Sequence, residues 1–168
     1  MKNRLPFLVL LFSFYLLNLF GQGEGNIWYF GKGFGLDFND GVPKLLKDGA
    51  LNTFEGVASI SDYKGNLLFY TDGQKVWNSK HEIMPNGDGL MGDSSATQSA
   101  VIVPKPRSRT TYFIFTIDAA ENEFGNGLRY SEVNMLADNG YGEIKYKNKL
   151  LTAPTCEKIT ATVTMEKR

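Results

Sequence analysis

Apolar and polar positions trade places in short runs along this chain. Val57-Ala58-Ser59-Ile60-Ser61-Asp62 alternates apolar with small or polar residues, the period of a half-buried strand. Tyr63-Lys64-Gly65-Asn66 supplies turn chemistry, because Gly65 takes a positive φ without steric cost. Leu67-Leu68-Phe69-Tyr70-Thr71-Asp72 is mostly apolar and predicts a strand covered on both faces. A second tight turn at Gly73-Gln74 leads into Lys75-Val76-Trp77, so Val57 to Asn78 reads as a three-stranded meander. A long loop is expected from Ser79 to about Gln98, carrying Pro85-Asn86-Gly87-Asp88-Gly89 and Gly92-Asp93-Ser94-Ser95.

The rhythm then starts again. Ser99-Ala100-Val101-Ile102-Val103-Pro104 answers the Val57 strand, and Thr111 to Asp118 answers Leu67 to Asp72. Leu128 to Asn134 answers Lys75 to Asn78 after a loop from Ala119 to Gly127, and Gly142 to Leu151 gives a fourth strand. Lys158-Ile159-Thr160-Ala161-Thr162-Val163 reads as the opening of a third unit. The first strands begin at Val57, Val101 and Ile159, which are 44 and 58 residues apart. Propeller blades have four strands and commonly run about 40 to 50 residues. The expected fold is therefore all-β: antiparallel meanders forming part of a β-propeller, with a single antiparallel β-sandwich as the alternative. A propeller takes about four blades or more, whereas residues 22–168 hold two and the start of a third, so an incomplete ring is expected. In a closed ring the strand Ile27 to Phe30 would complete the last blade.

The N-terminus sets the compartment. Lys2 and Arg4 precede Leu5 to Phe20, an apolar stretch broken only by Pro6, Ser13 and Asn18 and followed by Gly21. That is shorter than the roughly 20 residues needed to span a bilayer. It reads as a secretory signal peptide over residues 1–21, and the protein is expected to be exported. Without the leader the chain carries sixteen basic and eighteen acidic residues, which gives no electrostatic footprint for nucleic acid and no basic helix for a membrane surface. The lone Cys156 excludes an intrachain disulfide and is expected to be a small buried residue. The single His81 argues against zinc sites built on histidine and against histidine catalysis.

Candidate chemistry is sparse. Trp28 and Tyr29, in the aromatic run Asn26 to Gly31, offer a stacking platform for a sugar ring, although the same aromatics would equally pack on a blade. Gly31-Lys32-Gly33-Phe34-Gly35 lacks the spacing of a phosphate loop. Asp88 and Asp93 sit among glycines, as calcium ligands often do, but without the ladder of an EF-hand; Glu121 and Glu123 mark a second acidic loop. Glu55, Asp62, Asp72 and Asp118 stand at expected strand ends, where paired carboxylates could hydrolyse glycosides or merely cap turns. No cofactor is expected.

Several stretches resemble the N-terminal region of large exported proteins of the Bacteroidota. They are Glu24 to Gly31 with Gly35-Leu36-Asp37-Phe38, Glu55 to Asp62, Gly65 to Gly73 and Val76-Trp77-Asn78. Ile83 to Gly87, Thr97-Gln98-Ser99 and Gly127 to Val133 belong to the same pattern. The resemblance fades after Ala161. It implies a propeller-like region followed by PKD repeats and a gliding-motility-associated C-terminal domain that addresses the protein to the type IX secretion machinery. It brings no catalytic motif. A non-enzymatic surface or secreted binding and adhesion module is thus expected, its ligand a polysaccharide or a protein. The alternative is part of a propeller carbohydrate-active enzyme working with the strand-end carboxylates.

Overall fold

The computed structural model describes residues 23–162. The leader expected over 1–21 lies outside the described residues, as does Val163. The chain is all-β, in three antiparallel sheets with only single 3₁₀ turns between strands, and no sheet closes into a barrel.

The first sheet holds β1 (Ile27–Phe30), β2 (Phe34–Asp37) and β3 (Lys44–Leu46) in that order. β1 pairs with β2, Trp28 opposite Leu36, so it opens its own sheet and does not complete a later one. The local reason is the Gly31-Lys32-Gly33 turn, whose glycines have φ of 61° and 73° and fold β1 straight back on β2.

The second sheet runs β4 (Ala58–Ser61), β5 (Leu67–Thr71), β6 (Lys75–Asn78) and β7 (Ile83–Asp88) in chain order. The first three match the sequence reading. β7 corrects it, because a fourth strand occupies the stretch read as loop. Pro85-Asn86-Gly87 reads as a turn, but here it makes an irregularity in an edge strand, where proline's missing N–H is tolerated. Asn86 has φ of 59°, and its side-chain amide donates to the Ile144 carbonyl at 2.9 Å.

The third sheet repeats the plan with β8 (Ala100–Pro104), β9 (Thr111–Thr116), β10 (Leu128–Asn134) and β11 (Glu143–Thr152). β9 alternates half-buried and buried positions along its length, as a strand with two different faces must. Residues 158–162, read as the opening of a third unit, carry no strand. Cys156 is exposed, not buried, because it follows the end of β11, beyond the sheets.

The sheets stack face to face in chain order. Phe69, Val76 and Met84 of the second sheet meet Tyr112, Ile114 and Val133 of the third, with Phe69 edge-on to Tyr112 at 5.5 Å between centroids. On its other face the second sheet meets the first through Tyr70 and Trp77 against Tyr29 and Leu51. Phe69 and Tyr70 are neighbours on β5 and both are fully buried, which is what an apolar strand between two layers requires. Corresponding strands lie together: β1 beside β4, β4 beside β8, and β7 beside β11. The outermost faces are aromatic, with Trp28 and Phe30 on the first sheet and Phe113, Phe115, Tyr130 and Tyr146 on the third.

Candidate functional site

The residues singled out by sequence do not converge. Trp28 and Tyr29 are adjacent on β1 and so face opposite ways. Trp28 is half-exposed, donates its indole N–H to the Gly25 carbonyl at 2.7 Å and leans on Phe38. Tyr29 is buried and stacked on Tyr70 at 4.7 Å. The pair is not one platform.

The strand-end acids divide between the two ends of the sheets. Asp62 precedes β5 and Asp72 follows it, while Asp118 follows the equivalent strand β9. Their oxygens are engaged in turn geometry. Asp72 accepts the amides of Gln74 and Lys75 at 2.8 and 2.7 Å. Asp118 is fully buried and accepts from the Ala119 and Asn126 amides and the Asn122 side chain. Burial works against its charge, but those hydrogen bonds prevail and hold its carboxyl below the ordinary aspartate value. Glu55 lines a separate hollow of about 470 Å³ beside Gln98 and Ile159.

Asp88 and Asp93 are likewise separate. Asp88 accepts the Gly89 amide, whereas Asp93 accepts from the Ser95 amide and the Asn122 side chain. Glu121 accepts the Ser95 hydroxyl at 2.8 Å, and Glu123 takes a left-handed conformation with φ of 55°. Among the described residues no three His, Cys, Asp or Glu side chains gather as metal ligands.

Two constellations escaped the sequence. The first lies between the first two sheets, around His81. Asn78, buried at the end of β6, accepts the amides of Lys80 and Glu82 and so shapes the turn that carries His81 at φ 64°. The Tyr70 hydroxyl accepts the Ala50 amide and lies 2.9 Å from His81 Nδ1. The other ring nitrogen, Nε2, lies 3.6 Å from the Asp48 carboxylate. Tyr29 donates to the same carboxylate at 2.8 Å. Burial raises the pKa of both tyrosines, and for Tyr29 the Asp48 hydrogen bond adds to the rise, so both hydroxyls stay protonated. This network satisfies two hydroxyls that packing has taken out of water.

The second is a cavity of about 530 Å³ at the end of the sheets where β4 turns into β5 and β8 turns into β9. Leu68, Tyr112 and Met135 line it with apolar surface, while Glu24, Asp62 and Arg109 bring charge. The 3₁₀ turn Gly23–Gly25 delivers Glu24. It rests directly on the β4–β5 turn, since a Cβ at Gly23 would lie 2.4 Å from the Gly65 nitrogen. Asp62 accepts the Lys64 and Asn66 amides and the Asn66 side chain, which hold its carboxyl below the ordinary value against the opposing effect of burial. Burial, with the charges of Glu24 and Asp62, raises the Tyr112 hydroxyl.

Fold and cavity together define a chain of stacked antiparallel sheets with a pocket at one end of the stack. No protein-family model, curated protein or solved structure matches it.

Proposed function

We propose that this chain supplies successive blades of a propeller-type module in an exported protein, and that the module binds or adheres and does not catalyse. One observation carries the reading: the second and third sheets stack with like strand beside like, and the chain joins consecutive units by a repeated bond. The Gly56 amide, two residues before β4, donates to the Ala96 carbonyl ahead of β8 at 3.3 Å. The Gln98 amide, two residues before β8, donates to the Glu157 carbonyl at 3.0 Å. The same step thus leads from the third sheet into the segment that follows it, as radial blades require. β4 and β8 would be inner strands and β7 and β11 outer ones.

The ligand is a polysaccharide or a protein met outside the cell. The basic and apolar leader directs export, and the type IX machinery would act through a C-terminal sorting domain of the kind carried by the proteins this sequence resembles. The turn amides that Asp62, Asp72 and Asp118 accept support binding over hydrolysis, because carboxylates that brace their own turns are not set as a facing pair across one glycosidic bond. The test exposes the leaderless protein to immobilised polysaccharides and extracellular proteins and follows retention and product release together. Retention with unchanged ligand is expected. Turnover of a retained polysaccharide would favour the enzyme reading.

A further inference from the structure

The cavity at the β4–β5 and β8–β9 turns is built before any ligand arrives. Its β4–β5 turn is fixed from within by the three hydrogen bonds to Asp62 and from the side by the Asn39 amide, which donates to the Gly65 carbonyl at 3.0 Å. This braced turn holds the Tyr63 ring 65% exposed at the cavity wall. An aromatic on a braced turn presents a flat apolar face to a partner, and here Lys64 Nζ lies 5.5 Å from the ring centroid on one side of it.

Around it stand hydrogen-bonding groups of both kinds with unspent capacity. Among the described residues Glu24 accepts no hydrogen bond, and its Oε2 is buried without a partner. Arg109 is exposed and forms no ion pair among the described residues. The Ser108 oxygen accepts the Thr110 and Thr111 amides at 3.3 and 3.1 Å, which leaves its proton free to donate. An anionic ligand would meet Glu24 and Asp62, and a cationic one would meet Arg109. A neutral ring with donor and acceptor hydroxyls on its edge and C–H groups on its face suits every wall.

We propose that this cavity binds one neutral pyranose unit of a polysaccharide. The C–H face of the sugar lies on Tyr63, and its hydroxyls donate to Glu24 and accept from Arg109 and Ser108. The proposal rests on the binding-module reading and gives it a ligand class.

Calorimetric titration of the leaderless protein with short neutral glucan and mannan oligosaccharides tests it. Saturable binding is expected with at least one of them. Tyr63→Ala and Glu24→Gln should each weaken it about tenfold, the loss of roughly 1.4 kcal/mol that one stacked ring or charged acceptor supplies. Tyr63→Phe keeps the face of the ring and should bind within about twofold of the parent, which separates stacking from misfolding. The assignment is overturned if no neutral oligosaccharide binds, if both weakening variants bind like the parent, or if oligogalacturonate or free phenylalanine binds in place of neutral sugars. Release of shorter sugars during titration would instead overturn the non-enzymatic reading and leave the cavity assignment standing.

Discussion

Single residues hold the turns on which the stack depends. Gly73 sits between β5 and β6 at φ 88°, and a Cβ there would lie 1.9 Å from the Ser99 hydroxyl, which belongs to the approach to β8. One glycine therefore sets both a turn and the closeness of two sheets. Gly73→Ala should destabilise the protein by about 2 kcal/mol, the cost of a left-handed non-glycine residue with a clash added. Urea unfolding measures it, and a change under about 0.5 kcal/mol would show that the sheets give way easily. Carboxylates act at the same scale. The Tyr146 hydrogen bond, helped by Lys105, holds buried Glu132 below the ordinary glutamate value despite its burial, and Asp118 is lowered by its own hydrogen bonds. A lowered folded pKa contributes stability above the unfolded value, about 4, and that contribution is lost as pH falls through the folded value. The urea midpoint should thus fall as pH drops below about 4, the unfolded carboxylate value. Asp118→Asn should flatten the fall; an unchanged slope would assign acid sensitivity to other groups.

Elements differ in how firmly they are held. β5 lies between two layers, and its Phe69, Tyr70 and Thr71 are fully buried, whereas β3 is a three-residue edge strand without a fully buried position. Amide exchange should be slowest in β5 and fastest in β3, because opening β3 exposes little apolar surface. Equal protection in both would mean that the first sheet is no edge. The same contrast explains what the sequence revealed. β4 to β6 and β8 to β11 were legible because their alternation or apolar runs report burial directly. β7 was hidden by Pro85-Asn86-Gly87, whose turn signals belong to an irregular edge strand. The cavity was hidden for another reason. Glu24, Tyr63 and Arg109 share no local pattern, and only the stacking of three sheets brings their turns to one end. His81 was legible as a lone histidine, but its Tyr70 and Asp48 partners were not, since a tertiary interface creates them.

At the scale of the molecule, each inner face is covered by the next sheet and each outer face is left aromatic. The third sheet presents Phe113, Phe115, Tyr130 and Tyr146 as one connected cluster of rings. In a propeller this face receives the following blade. Burying such surface stabilises by roughly 25 cal/mol per Å², against a total stability of about 5 to 15 kcal/mol, so on the propeller reading a blade face left without its neighbour would take up much of the margin. Thermal unfolding of residues 22–168 in the presence of a hydrophobic dye tests the proposed stack of blades most directly. A broad transition at low temperature is predicted, with dye bound already in the folded state. A sharp, reversible two-state transition from a monomer that binds no dye would contradict stacked blades and establish a self-contained sandwich.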